Sequence, residues 1–320
     1  MTGLLKNSQC VLVADRFTLE AIEFIRSQIS GDVIQTENLP TRELLNKATA
    51  LLIRSRTKIN KELIEAAPNL KVIITATSGF DHIDFELTRK KNITVMFTPD
   101  ANFESAAEHT LLLMLGVLRR LNESARLLRE GSWKDELKSG FELKCKTVGI
   151  IGLGRVGSRV AELLQAFGAH VIAFDPYQDD KVFEKLGLER FGLSEVFAQA
   201  EILTLHVPLN EETRRYIRAE TLELAHDGLI FINTSRGRVV DEGALIAALE
   251  SGQIIGAGLD VFENEPLARD SRLRKLPNVL LTPHIGAHTE EAYIKASMLA
   301  AQKLITFINT GEISDNLPLQ

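Results

Sequence analysis

Three polar residues in this 320-residue sequence have the types needed to move a proton beside an anionic substrate: Arg236 in FINTSRGRVVDEGAL, Glu265 in GAGLDVFENEP and His284 in VLLTPHIGAHT. Histidine titrates near neutrality, so it can take a hydroxyl proton as hydride leaves the carbon and give it back in reverse. A neighbouring carboxylate orients the imidazole and favours the imidazolium. An arginine offers a planar fork of donors to a carboxylate or a polarised carbonyl. The set suits interconversion of a 2-hydroxy acid and a 2-keto acid, with His284 as acid/base, Glu265 as its partner and Arg236 binding and polarising substrate. Taken singly, an Arg, Glu or His at a strand end is more often a surface or hydrogen-bonding residue than a catalyst. Other histidines compete. His170 opens a strand, His226 lies in a polar turn, and His109 on an apolar helix reads as a satisfied buried histidine. His82 and His206 lack an evident carboxylate partner, and His288 lies further from the strand end than His284.

The acceptor of that hydride is written in TVGIIGLGRVGSRVAELLQAFGAHVIAFDP, residues 147–176. Gly152, Gly154 and Gly157 form GxGxxG between an apolar strand and a helix. The first glycine permits a tight turn, the second lets a pyrophosphate approach the backbone, and the third lets helix and strand pack closely. The helix start then offers free N–H groups to phosphate. Asp175 ends the next strand, where a carboxylate accepts from ribose hydroxyls and repels a 2′-phosphate. With Pro176 and Tyr177 following instead of arginine, the expected cofactor is NAD.

Two series of alternating strands and helices must position these groups. The first has strands at Cys10–Ala14, Val33–Gln35, Ala50–Arg54, Val72–Ala76 and Thr94–Phe97. The second has strands at Thr147–Ile151, His170–Phe174, Ile202–His206, Leu229–Asn233, Gly256–Val261 and Val279–Thr282. Such alternation predicts α/β architecture with parallel sheets covered on both faces. A long apolar helix from about Asn102 to Glu130, stopped by Gly131, is expected to join two domains and to take part in a subunit contact. A last helix, from about Thr289 to Asn309, could return to the first domain. Arg236, Glu265 and His284 then fall after successive strands, on the edge of an open α/β sheet where ligands bind.

Composition sets bounds on this reading. With 45% hydrophobic and 25% charged residues the chain can bury a large core without disulfides or metal. A net charge of −6 argues against a nucleic-acid partner, which needs a basic face. Cys10 and Cys145 read as reduced thiols, and no His, Cys and carboxylate spacing suggests a metal site. Without an apolar leader or a membrane-length apolar run, a cytoplasmic protein with no membrane anchor is expected.

At TSGFDHIDF, ESAAEHTLLLML, TVGIIGLGRVG, HVPLNEET, INTSRGRVVDEGAL, GAGLDVFENEP and LTPHIGAHTEEA the chain resembles the D-isomer-specific 2-hydroxyacid dehydrogenases along nearly its whole length. The resemblance implies two doubly wound domains: a Rossmann NAD domain over residues 99–287, inserted in a flavodoxin-like substrate domain made of 1–98 and 288–320. It also implies a homodimer formed through the NAD domains. It carries catalysis to Arg236, Glu265 and His284. It carries NAD contacts to Arg155, Val156, Asp175, His206, Val207, Pro208, Thr213, Thr234, Ser235, Asp260, Gly286 and Ala287. It carries the substrate carboxylate to the backbone of Ser78 and Gly79.

Within the family the similarity runs to the 3-phosphoglycerate dehydrogenases, because Arg54 and Arg56 flank Ser55 in LLIRSRTKI. Two positions apart on a strand they face one side and could hold a phosphate together; solvent-exposed arginines are the other reading. Asn102 is a further substrate candidate, and Trp133 in GSWKDE matches the family at a subunit contact or as a packed loop residue. His82 stands where that branch usually has asparagine. The chain stops about ten residues after its last helix, so the regulatory domains of longer members, and serine feedback through them, are not expected. The alternatives are a glyoxylate or hydroxypyruvate reductase and, more remotely, an NAD-sensing corepressor-like protein.

Overall fold

A computed structural model describes residues 9–36 and 39–317. In chain order, the first series runs β1 (Cys10–Val13), α1 (Leu19–Gln28), β2 (Asp32–Gln35), α2 (Arg42–Lys47), β3 (Ala50–Ile53), α3 (Lys61–Ala66), β4 (Val72–Thr75), α4 (Phe85–Lys90) and β5 (Thr94–Phe97). Two helices follow, α5 (Phe103–Leu118) and α6 (Leu121–Arg129). The second series is β6 (Thr147–Ile151), α7 (Arg155–Ala166), β7 (His170–Phe174), α8 (Asp180–Leu186), α9 (Leu193–Gln199), β8 (Ile202–Leu205), α10 (Ala219–Leu222), β9 (Leu229–Asn233), α11 (Glu242–Ser251), β10 (Ile254–Leu259) and β11 (Val279–Leu281). Last come α12 (Glu290–Thr310) and a short strand, β12 (Asn316–Leu317).

The chain divides into two compact units, one of residues Met1–Asn102 with His288–Gln320 and one of Phe103–Ala287. In the first, the sheet order is β12-β5-β4-β3-β1-β2, parallel except for β12, which pairs antiparallel with β5. Every residue of β1, β3 and β4 is buried, as expected for parallel strands covered on both faces. One face packs against α1 and α12 through Ala21, Ile22, Ile25, Ala300 and Leu304; the other carries Leu45, Leu63, Ile64 and Phe97. In the second unit all six strands are parallel, in the order β11-β10-β9-β8-β6-β7. α5 and α7 cover one face through Leu111, Met114, Val160 and Leu164, and α9 and α11 cover the other through Phe197 and Leu245. The architecture is α/β with two doubly wound sheets, the second of Rossmann type.

One expected element is corrected. The helix read as continuous from Asn102 to Glu130 is broken at Arg120, whose φ of 50° lies in the left-handed region. The Leu118 carbonyl accepts from Phe141 N at 2.9 Å. Arg120 Nε donates to Ser139 O at 3.4 Å. These tertiary bonds divert the backbone where its local propensity would continue the helix. Gly131, at φ 87°, follows α6. Among the described residues no helix is long and apolar enough to cross a membrane, and no group of three or more His, Cys, Asp and Glu could hold a metal.

Candidate active site

The second sheet reverses its winding at β6, which pairs β7 on one side and β8 on the other. Doubly wound sheets open a crevice beyond the strand ends at such a point. Gly152, at φ 94°, leaves β6 there, and a Cβ on it would lie 2.6 Å from the His206 carbonyl oxygen after β8. A Cβ on Gly157 would lie 2.0 Å from Gly152 O. Both positions demand glycine. Around Gly154 a Cβ would meet nothing within 4 Å, so the space before α7 is open. α7 starts at Arg155, and its N-cap, Gly154, makes no side-chain cap bond. An uncapped helix start facing open space fits the pyrophosphate of a dinucleotide.

Asp175 is buried at the end of β7 and organises this cradle. Its Oδ2 accepts the Leu153 amide at 2.7 Å, and its Oδ1 accepts those of Tyr177 at 2.9 Å and Gln178 at 3.2 Å. Arg190 donates to the Asp175 and Gln178 carbonyls. The loop that would meet the adenosine ribose is thus held in one shape. After β8, burial drives the His206 imidazole down to a pKa of about 3, so it sits neutral, 3.1 Å from Thr204 Oγ1. Val207 and Pro208 follow, and Thr213 closes their loop by donating to Pro208 O at 2.6 Å.

The predicted triad stands after three adjacent strands, β9, β10 and β11. Asn233, the last residue of β9, accepts from Ser235 N at 3.0 Å and Ser235 Oγ at 2.9 Å, and its amide nitrogen donates to Arg236 O at 3.1 Å. Arg236 Nη1 donates to Ser235 O at 2.7 Å. Glu265 follows β10: its Oε1 accepts Phe262 N at 3.1 Å and its Oε2 lies 2.7 Å from His284 Nδ1. That hydrogen bond to Glu265 raises the His284 pKa above the ordinary value; burial opposes the rise, the Glu265 and Asp260 charges support it, and Arg236 opposes it. Burial alone would raise the Glu265 carboxyl, but the His284 bond and charge, the Phe262 amide and Arg236 hold it below the ordinary value. The side chains of His284 and Glu265 remain 47% and 35% exposed, so the pair is reachable from solvent.

Asp260 lies beneath this pair and is 1% exposed. Its Oδ1 accepts from Thr282 Oγ1 at 2.5 Å and Ile285 N at 2.9 Å, its Oδ2 from Gly286 N at 2.8 Å, and its carbonyl from His284 N at 2.8 Å. Burial would raise its carboxyl, yet bonds from His109, Thr282 and the two amides hold it below the ordinary value. Asp260, expected as a cofactor contact, is therefore first the residue that shapes the His284 turn. Ala287 ends the unit.

The first unit carries its own candidates at its own winding reversal, between β1 and β3. Here a second expectation is corrected. β3 ends at Ile53, so Arg54 follows the strand and Ser55 and Arg56 lie in a turn, and strand alternation does not set where the arginines point. Asp15, after β1, organises that turn. It accepts Arg54 N at 2.6 Å on Oδ2 and Arg56 Nε at 2.9 Å on Oδ1. The Arg54 guanidinium lies 5.0 Å from the Tyr293 ring centroid, and burial lowers its pKa against the support of Tyr293 and Asp15. Its Nη1 is buried without a hydrogen-bond partner. Ser78 donates to Asn102, which brings two expected substrate contacts together. Thr77 Oγ1 donates to Gly79 O at 2.6 Å and neighbours Thr75 Oγ1, which sits 3.1 Å from His82 Nε2. Asp15 and Tyr293 escaped the sequence reading. The signal for Asp15 was a carboxylate at one strand end beside arginines at the next.

Known proteins resemble this chain in sequence and fold. Residues 111–286 match the family model of the D-isomer specific 2-hydroxyacid dehydrogenase NAD-binding domain. The D-3-phosphoglycerate dehydrogenase of Methanocaldococcus jannaschii is 40% identical over 311 residues, 96% of this chain and 59% of the relative. The chain spans little more than half the length, 53% to 59%, of such curated relatives. A glyoxylate reductase structure from Paecilomyes thermophila is 28% identical, with a TM-score of 0.89, over 98% of this chain and 99% of that one. The D-lactate dehydrogenase of Aquifex aeolicus, in complex with NAD and lactic acid, is 31% identical, with a TM-score of 0.81, over 94% and 95%. On these matches the chain belongs to the D-isomer-specific 2-hydroxyacid dehydrogenase family.

Proposed function

We propose that the protein is an NAD-dependent dehydrogenase of D-2-hydroxy acids, with 3-phospho-D-glycerate as its substrate. The observation that carries this is the 2.7 Å bond between His284 Nδ1 and Glu265 Oε2, one strand from Arg236 on the sheet edge that also bears the glycine turn. Bound NAD supplies the acceptor for the hydride leaving C2. Glu265 occupies Nδ1, so Nε2 faces substrate and takes the hydroxyl proton as the carbonyl forms. Glu265 stabilises the imidazolium so produced. Arg236 holds the carboxylate and polarises the new carbonyl. In reduction His284 returns the proton to the carbonyl oxygen.

A phosphorylated substrate is supported by Arg54, whose buried Nη1 lacks a partner and would gain one in an anion. The Methanocaldococcus jannaschii relative points the same way. A glyoxylate or hydroxypyruvate reductase is favoured instead by Arg56, whose guanidinium is engaged by Asp15, and by the glyoxylate reductase structure. NADH production from 3-phospho-D-glycerate, D-glycerate, D-lactate and D-malate decides between them. A preference of roughly a hundredfold for the phosphorylated acid, about 2.7 kcal/mol, supports the first. A preference for the unphosphorylated acids rejects it and keeps the triad.

We further infer a cytoplasmic homodimer formed through the second unit. Leu112, Leu121, Leu128, Trp133, Phe141 and Ile255 of that unit are exposed, an apolar set that a second copy would cover. Light scattering should give twice the mass of the chain; a monomer would reject the dimer.

A further inference from the structure

α5 is apolar nearly all round, yet two of its consecutive buried residues are polar, His109 and Thr110. His109 Nε2 lies 3.0 Å from Thr282 Oγ1 and 3.3 Å from Asp260 Oδ1. The Thr282 hydroxyl donates to Asp260 at 2.5 Å, so its oxygen is left as an acceptor toward the ring. Both neighbours of Nε2 are then acceptors, which requires that Nε2 carry the hydrogen. The next residue makes the matching contact on the other side of the triad. Thr110 Oγ1 donates to Ala106 O at 2.7 Å and lies 2.7 Å from Thr234 Oγ1, two positions before Arg236.

We infer that His109 is a positioning residue for His284, acting through Thr282 and Asp260. His284 has a φ of 55°, in the left-handed region. A non-glycine residue holds that strained conformation only when its surroundings over-determine it. The surroundings here are Asp260, which binds Thr282, Ile285 and Gly286 through its carboxylate and His284 through its carbonyl. Three of those four bonds are backbone amides of the turn. The fourth runs through Thr282, whose hydroxyl has, besides Asp260 itself, His109 as its partner among the described contacts. Without that donor the hydroxyl can rotate away from Asp260 and the turn loses a tether. Nδ1 of His284 then no longer has a single approach to Glu265.

The groups that set His284's titration are Glu265, Asp260 and Arg236. Histidine-labelled full-length protein without cofactor, in wild-type form and as H109L, H109Q and T282V, reads that titration by NMR; H284N identifies the signal. H109L and T282V should lower the His284 pKa toward the ordinary value of about 6.5. H109Q, which restores an N–H donor, should recover at least half of the difference. In turnover, H109L and T282V should each lose roughly tenfold in kcat with KM for NAD within about twofold. The double variant should be no worse than the worse single, since both act on one hub. An unchanged His284 titration in H109L and T282V would overturn the inference. So would H109Q matching H109L, or losses confined to KM for NAD. Should H109L not fold, T282V and H109Q decide it. The kinetic part rests on the dehydrogenase reading; the titration does not. An inactive wild type with shifted His284 pKa values in the variants would reject that reading and keep the His109 link.

Discussion

Glu265 and His284 face each other from the ends of neighbouring strands, with Oε2 2.7 Å from Nδ1 and the other carboxylate oxygen held by the Phe262 amide. The second bond prevents the carboxylate from turning away. It therefore fixes both the orientation of the imidazole and the sign of its pKa shift, which is upward.

That sign predicts the pH profile. Oxidation needs neutral His284, so its kcat/KM should rise with pH through a midpoint above the ordinary value of about 6.5. Reduction needs the protonated ring and should fall through the same midpoint. E265Q removes the leading cause of the rise, so both limbs should move to lower pH. Initial rates in both directions test this; an unmoved midpoint would separate Glu265 from the titration.

G157A addresses the cradle. A Cβ there would sit 2.0 Å from the Gly152 carbonyl oxygen, a backbone atom that cannot swing aside. Overpacking of this kind costs about 1–3 kcal/mol. Calorimetry should show a lowered midpoint of unfolding and NAD affinity weakened by at least about tenfold.

D175A should weaken NAD binding by a similar factor and reduce discrimination against NADP. Its carboxylate fixes the amides of Leu153, Tyr177 and Gln178, and its charge would repel a 2′-phosphate. Titration of each cofactor into wild-type and variant protein checks both parts; equal losses for NAD and NADP would contradict the charge argument.

R54M tests the proposed phosphate contact of Arg54. KM for the phosphorylated substrate should rise roughly a hundredfold, while KM for D-glycerate changes by less than about threefold. Equal effects on both would mean that Arg54 serves the carboxylate or the fold.

What could be read from the chain follows from the range of the forces involved. Strands such as Val72–Thr75 and turns such as that at Gly152 are local patterns of burial and backbone freedom, and they lie where the residues indicate. That Arg236, Glu265 and His284 fall after adjacent strands was legible because strand ends in an open α/β sheet share an edge. The break at Arg120 was not, because it depends on Phe141 and Ser139 reaching back to the end of α5. Arg54 and Arg56 were placed on one strand face because the end of β3 after Ile53 is set by Asp15, about forty positions earlier. His109 reads as a satisfied buried histidine, and it is one, but its partner Thr282 lies 173 positions away, so the link to His284 was not legible.

The most direct measurement is NADH consumption with phosphohydroxypyruvate, hydroxypyruvate and glyoxylate, by wild-type protein and by H284N. The wild type should turn over at least one of these acids. H284N should bind NAD with unchanged affinity and lose roughly 10²–10⁴ in rate, the contribution of a positioned acid/base. A wild type that binds NAD but reduces none of them, or an H284N that reduces them at full rate, would contradict the account.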